Sequence, residues 1–190
     1  MHTTLTKFLD RPASIVAPEL LGCILEREIN GHIMRVKIVE TEAYDETDAA
    51  SHSFNGRTQR NDIMYGKSGY LYVYFTYGMH YCCNVVTDKE GIGSAVLIRA
   101  VEPLEGVEYM NELRNHVGNE LTNGPAKLCQ ALGIDRRLDG HDLSQFPFRL
   151  IVPSRDTPLR IVQTNRVGIT KAKDVQWRFY IEANEYVSKP

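Results

Sequence analysis

Apolar and polar residues alternate along several short stretches of this chain, and a period of two residues indicates β-strands with one buried face. In 32–41, Met34, Val36 and Ile38 alternate with basic residues, and an Asn-Gly pair before them indicates a tight hairpin. Other stretches are richer in tyrosine and valine. The predicted strands are 23–28, 32–41, 69–75, 80–86, 95–102, 148–153, 159–163 and 175–182.

Three segments keep apolar residues at helical spacing instead. The first, 7–22, is predicted as a helix broken by Pro12 and Pro18. Pro103 suits the first turn of a second helix, and a third helix follows the Asn-Gly-Pro turn at 123–125. We find no internal repeat and no linker, so we expect one domain over 1–190.

Residues 45–67 have no clear period, and we expect a long loop there with a short helix around 48–52. Structureless loops of this length inside compact domains tend to be functional. The chain has no long apolar run near its start, so we predict neither a signal peptide nor a membrane span and expect a cytoplasmic protein. Its four cysteines form no C-x-x-C pair and are predicted to be small buried residues.

The formal net charge of −2 does not by itself indicate a nucleic-acid-binding protein. The charges are unevenly distributed, however, with eleven Lys and Arg against seven Asp and Glu from Leu121 onward. A basic face can bind phosphates even when the whole protein is acidic. On charge alone, scattered solubilising charges are the better explanation of this pattern.

Candidate chemistry is concentrated between Val39 and Asn84. Because side chains alternate along a strand, Glu42 and Tyr44 are predicted to point the same way. A carboxylate beside tyrosine rings indicates a pocket for a flat ligand, cationic ligands included, and a desolvated Glu42 could act as a general base. The alternative is an exposed glutamate at a strand end, which is how we interpret Glu40.

His52 could be a general acid, a stacking ring or a metal ligand, but no second histidine at ligand spacing supports a metal site. Tyr77 lies beside Gly78 at a predicted hairpin tip, where a large ring has little core to join. Such a ring is placed to enter a base stack. Arg57 and Arg60, on the preceding loop, would suit phosphates, although they are also ordinary surface charges.

Taken together, these motifs resemble the alkyladenine (3-methyladenine) DNA glycosylase family. The matching segments keep the family's order and cover nearly the whole chain. They are 38–44 (IVETEAY), 49–53 (AASHS), 71–74 (LYVY) with 77–79 (YGM), 97–106 (LIRAVEPLEG), 123–132 (NGPAKLCQAL) and, more weakly, 166–169 (RVGI) with 178–180 (RFY).

The resemblance implies a single mixed α/β domain, with a curved antiparallel sheet flanked by helices. It also implies a monofunctional hydrolase that flips damaged purines out of double-stranded DNA, needs no cofactor or metal and works as a monomer. The damaged purines of such an enzyme are alkylated or deaminated, of the 3-methyladenine, 7-methylguanine, hypoxanthine and ethenoadenine type. By position, Glu42 would activate the water.

The remaining roles implied by the resemblance concern base and DNA binding. Tyr44, His52 and Tyr74 would stack around the flipped base, and Tyr77 would fill the gap left in the duplex. Asn84 would line the pocket and disfavour the exocyclic amine of guanine. Met79 and Arg99 would lie at the pocket edge. Arg57 and Arg60 would lie near the DNA backbone. The loop after His52 is shorter than in mammalian members.

Two alternative functions remain open at this point. One is a catalytically silent protein that binds damaged DNA, and the other is a hydrolase of free nucleosides on a similar scaffold. A pure binder has no need of a carboxylate facing a phosphate-rich ligand. A nucleoside hydrolase has no use for a wedge such as Tyr77.

Overall fold

The computed structural model describes residues 2–154 and 158–188, with side chains from Leu5 onward within those ranges. The fold is a mixed α/β domain in which helices pack against one eight-stranded, curled antiparallel sheet. The α-helices are α1 (His2–Leu9), α2 (Ala13–Leu20), α3 (Val107–Arg114) and α4 (Pro125–Ala131). The strands are β1 (Ile24–Ile29), β2 (His32–Tyr44), β3 (Leu71–Thr76), β4 (His80–Val86), β5 (Ala95–Glu105), β6 (Phe148–Ile151), β7 (Ile161–Thr164) and β8 (Arg178–Ile181).

The long strand β2 lies at the centre of the sheet and changes partner along its length. Its first half pairs with β1, and its second half, 40–42, pairs with β8. Along its other edge it pairs with β5, which leads on to β4 and β3. The pairing of β2 with β5 shifts register around Glu40. Such bulges bend and twist a sheet locally, and this one lies next to Glu42.

The main core lies between the sheet and helices α2 and α4. Helix α2 packs on β2, and α4 packs on β4 and β5. Leu20, Met34, Ile98 and Leu128 are among the fully buried side chains of this core. The helices therefore cover the apolar face of the strands that carry the candidate residues, and they give those residues a rigid base.

Most predicted strands are confirmed with shifted ends, but two helix predictions are wrong. Pro103 begins no helix: it lies in β5 opposite Val36, at a register shift where its missing N–H costs the ladder little, and α3 begins only after Gly106. No helix forms at 48–52, where the chain makes successive turns. The loop's helical turn, a 3-10 helix, lies later, at Asp62–Tyr65.

The opening segment is confirmed in part. The helix is interrupted between Leu9 and Ala13, as expected from Pro12. Pro18, in contrast, lies inside α2 without breaking it. All four cysteines are buried, as predicted. Within the described ranges, no helix has the length and apolar character needed to span a membrane.

Candidate active site

A cleft of about 570 Å³ opens over the β2–β5 part of the sheet. Strands β2, β3, β4 and β5 supply its floor, while the loops 49–55 and 167–171 form its sides. Among the predicted site residues, the structure brings seven together along this cleft. They are Glu42, Tyr44, His52, Tyr74, Tyr77, Asn84 and Arg99.

Glu42 lies on the floor of the cleft and is covered from bulk solvent. Its Oε1 accepts a hydrogen bond of 2.7 Å from the backbone N–H of Val167. Its Oε2 accepts one of 2.8 Å from the hydroxyl of Tyr44 and lies 3.3 Å from Nη1 of Arg99. Three donors therefore surround its two oxygens. An ionised carboxylate has about four acceptor positions, so one remains for a water molecule.

Arg99 bridges Glu42 and Glu40 from the neighbouring strand. Its Nε donates to Oε1 of Glu40 at 3.0 Å. Burial alone would lower the pKa of Arg99, but the negative charges of Glu42 and Glu40 raise it above its usual range. Arg99 therefore stays cationic and fixes the relative positions of the two carboxylates.

Our interpretation of Glu40 as an exposed strand-end residue is wrong. Its side chain is 0% exposed. It also accepts from Nε of Arg178 at 2.7 Å, and the backbone N–H and hydroxyl of Ser188 donate to it at 2.7 and 2.9 Å. Because β8 pairs with β2 at this point, a strand that looks terminal in the sequence is central in the fold. Glu40 is thus the centre of a buried ionic network.

Tyr44 stands between the cleft and a buried ion pair. The guanidinium of Arg166 lies 4.7 Å from the centre of its ring and donates to Oδ1 of Asp48 at 2.9 Å. Burial, with the charge of Glu42, raises the pKa of Tyr44 far above its usual range. Tyr44 is therefore a hydrogen-bond donor to Glu42 at any physiological pH.

His52, Tyr72 and Tyr74 form an aromatic wall. The rings of Tyr72 and Tyr74 stack with centroids 5.6 Å apart, and His52 meets Tyr74 edge-on at 4.6 Å. Nδ1 of His52 lies 2.9 Å from the hydroxyl of Tyr72. Burial raises the pKa of both tyrosines, so both hydroxyls keep their protons. Asn84, buried opposite Tyr72 in the sheet, donates to the carbonyl of Tyr72 at 3.2 Å.

The β3–β4 hairpin projects beside the cleft. Its turn is closed by a bond of 3.2 Å from Met79 N–H to Thr76 C=O, and Tyr77 and Gly78 both have positive φ. Tyr77 is 83% exposed and Met79 67% exposed. The predicted turn and projecting ring are confirmed. Met79 lies on the exposed tip beside Tyr77 and does not line the cleft.

Arg57 and Arg60 are both exposed on the loop before β3. Nε of Arg57 pairs with Asp62 at 2.5 Å. The positive charge of Arg60 acts on both His52 and Tyr72, two residues that line the cleft.

The sequence reasoning missed Val167, Tyr72 and the ion pair of Arg166 with Asp48 as parts of the site. Val167 acts through its backbone N–H, which no pattern of side chains can reveal. Arg166 and Val167 did fall in the weakest matching segment, and this was the available signal. Within the described ranges, no three His, Cys, Asp or Glu side chains cluster as a metal site would require.

Comparison with known proteins agrees with this geometry. The sequence profile of the methylpurine-DNA glycosylase family matches residues 7–185. A protein of Carboxydothermus hydrogenoformans named "Putative 3-methyladenine DNA glycosylase" is 49% identical over 187 residues, covering 96% of this chain and 97% of that protein. Proteins with the same name from Francisella tularensis SCHU S4 (49%; 91% of this chain and 92% of theirs) and Methanoculleus marisnigri (45%; 96% of each) are also similar.

The fold, the cleft and these relatives define a DNA glycosylase, a hydrolase of N-glycosyl bonds. The chain belongs to the methylpurine-DNA glycosylase family.

Proposed function

We propose that this enzyme removes alkylated and deaminated purines from double-stranded DNA by hydrolysing the bond between base and sugar. Its substrates would include 3-methyladenine, 7-methylguanine, hypoxanthine and ethenoadenine. The observation that carries the proposal is the buried side chain of Glu42, which is held on the floor of an aromatic cleft by Tyr44, Val167 and Arg99.

In this proposal Glu42 is the general base. Water at its free acceptor position attacks C1′ of the deoxyribose as the bond from C1′ to the purine nitrogen breaks. The proton of the water passes to Glu42, and the bonding electrons leave with the base. The negative charge of Glu42 also stabilises the developing oxocarbenium ion, as carboxylates do in glycoside hydrolysis. A purine alkylated at N3 or N7 is cationic and departs as a neutral base, whereas hypoxanthine and ethenoadenine are uncharged and must also acquire a proton.

The aromatic wall would hold the base after it leaves the duplex. Extruding a base costs roughly a few kcal/mol. Stacking on aromatic side chains returns about 1–3 kcal/mol per base. Tyr44, His52 and Tyr74 line the cleft as such surfaces, and tyrosine faces favour cationic rings. Asn84, buried on the floor, would disfavour the exocyclic amine of guanine.

The surface beside the cleft would hold the duplex. Tyr77 projects from the hairpin and would occupy the gap left by the flipped nucleotide. Arg57 and Arg60 would lie along the phosphates. Met79, on the same exposed tip, would meet the duplex near Tyr77. These contacts with the duplex fit an enzyme that acts as a monomer on chromosomal DNA in the cytoplasm.

The test is incubation with a duplex that carries one hypoxanthine or one 3-methyladenine, followed by detection of the abasic site. We expect release of the damaged base and no release from an undamaged duplex. Tight binding without release would instead identify a catalytically silent binder of damaged DNA. Faster release from free deoxyinosine than from the duplex would identify a nucleoside hydrolase.

A further inference from the structure

His52 and Tyr72 make a close polar contact at the aromatic wall of the cleft. Nδ1 of His52 lies 2.9 Å from the hydroxyl of Tyr72, and Tyr72 is only 1% exposed. His52 itself is exposed at the mouth of the cleft. The ring thus has its Nδ1 edge against a buried hydroxyl. Within the described residues, its Nε2 makes no hydrogen bond.

Two arrangements satisfy a distance of 2.9 Å, and they differ in the fate of the phenolic proton. If Nδ1 carried the proton, it would donate to the Tyr72 oxygen. The phenolic proton would then lack an acceptor, because Arg60, which also hydrogen-bonds this hydroxyl, can only donate. Leaving a buried polar group without a partner is unfavourable. If the hydroxyl donates to Nδ1, both groups are satisfied.

The charges around the pair favour the same arrangement. The positive charge of Arg60 lowers the pKa of both His52 and Tyr72. The charges of Asp139 and Arg136 affect the pKa of Tyr72 more weakly. Burial raises the pKa of Tyr72 to about 12, so the hydroxyl keeps the proton that it donates. Burial of the inner edge of the imidazole, with the positive charge of Arg60, lowers the pKa of His52. A doubly protonated imidazolium is therefore disfavoured.

We propose that Tyr72 is a positioning residue that holds His52 as the neutral imidazole with its proton on Nε2, where it donates a hydrogen bond to an acceptor on the bound nucleotide. The part concerning the nucleotide rests on the proposed function above. In this state His52 donates a hydrogen bond and stacks around the flipped base. It does not protonate the leaving base. The acceptor is an oxygen of the DNA backbone or a nitrogen or oxygen of the purine.

The direct test is nitrogen NMR of the ¹⁵N-histidine-labelled protein at neutral pH, with the His52→Gln variant used to assign the signals. We expect His52 to show a protonated Nε2 and an unprotonated Nδ1 in the free protein. In Tyr72→Phe the proton should be shared between the two nitrogens, because Nδ1 no longer has its donor. A proton on Nδ1 in the unmutated protein would overturn the proposal, whether or not the protein excises bases.

A second measurement connects the proton to the nucleotide. One net hydrogen bond is worth about 0.5–1.5 kcal/mol, so Tyr72→Phe should lower single-turnover excision of hypoxanthine by roughly 2–10-fold. Tyr70→Phe is the matched control, since it removes a hydroxyl two residues earlier that makes no hydrogen bond within the described chain. Tyr70→Phe should leave the rate unchanged.

Binding to a duplex that contains a tetrahydrofuran abasic analogue separates the two acceptors. An equal loss of affinity in Tyr72→Phe for this duplex and for the hypoxanthine duplex identifies a backbone acceptor. A loss confined to the hypoxanthine duplex identifies the base. Unchanged excision and unchanged affinity in Tyr72→Phe would overturn the role of Nε2, even with the NMR assignment in place. Absence of excision by the unmutated protein would refute only the proposed function.

Discussion

The backbone N–H of Val167 donates a hydrogen bond of 2.7 Å to Oε1 of Glu42, across 125 residues of chain. It orients the carboxylate from a loop, while Tyr44 and Arg99 hold the other oxygen from the sheet. Because these donors belong to separate segments, the carboxylate keeps one orientation without adjusting when a substrate arrives. As the proposed general base, Glu42 would therefore need little reorganisation during the reaction.

Replacing Glu42 by Gln should abolish base release while leaving binding of damaged DNA nearly intact. The amide has the same shape but cannot accept a proton from water. General-base catalysis is typically worth about 10²–10⁴-fold, and the lost charge adds to that. Single-turnover excision and a binding titration on the same duplex measure the two effects.

The matched control is Glu102→Gln, the same change at a partly exposed glutamate that pairs with Lys37. It should retain normal excision. If Glu42→Gln kept a near-normal rate, Glu42 would not be the base.

Replacing Glu40 by Gln should lower the stability of the protein. The change leaves Arg99 and Arg178 buried without their shared carboxylate. Removing one partner of a buried ion pair costs about 3–5 kcal/mol. Urea denaturation, read as the free energy of unfolding, measures the loss. Glu105→Gln, which removes an exposed partner of Arg35, should change stability little. Equal effects of the two changes would argue against a structural role for the Glu40 network.

Tyr77→Ala should impair excision from a duplex more than excision from a single strand. The ring is exposed and supports no core, so its loss should not unfold the protein. In a single strand there is no gap for a wedge to fill, and the chemistry at Glu42 is unchanged. Single-turnover rates on the two substrates, measured for Tyr77→Ala and for the unmutated enzyme, give the loss on the duplex relative to the loss on the single strand. Tyr77→Phe keeps the ring and should behave as the unmutated enzyme, whereas equal losses on both substrates would contradict a wedge.

Affinity for duplex DNA should fall as salt rises, although the protein is net acidic. Each phosphate contact adds about 0.9 to the slope of log affinity against log salt. Arg60→Ala should reduce that slope by about this amount, and Arg57→Ala by less, because Arg57 is paired with Asp62. Arg137→Ala, a charge paired with Asp135 outside the cleft, should leave the slope unchanged. A flat salt dependence would refute the phosphate-binding face.

Base release should survive a metal chelator, and strand breaks should appear only after alkali. The proposed chemistry needs only water and Glu42. Lys171 lines the cleft, so its amine is the group to test as a Schiff-base nucleophile. Borohydride added during the reaction should trap no covalent complex, and Lys171→Met should keep full excision activity. A trapped complex that disappears in Lys171→Met would show a strand-cleaving mechanism instead.

The amino-acid sequence by itself determined most local features of this protein. The alternation of apolar and polar residues located the strands. Glu42 and Tyr44 are two residues apart, which correctly placed them on one face of a strand, as their hydrogen bond shows. The Tyr-Gly pair located the hairpin tip. These features depend on neighbours within a few residues, so a pattern along the chain can report them. Pro103 shows the limit, because its helix preference was overridden by pairing with β2.

Only the tertiary structure decided which distant segments meet around Glu42. The pairing of β8 with β2 buries Glu40 among Arg99, Arg178 and Ser188. The 166–171 loop brings Val167 to the carboxylate. These contacts arise from long-range strand pairing and core packing. A backbone N–H has the same composition at every residue except proline, so the donor to Glu42 becomes visible only when the folded chain places it there.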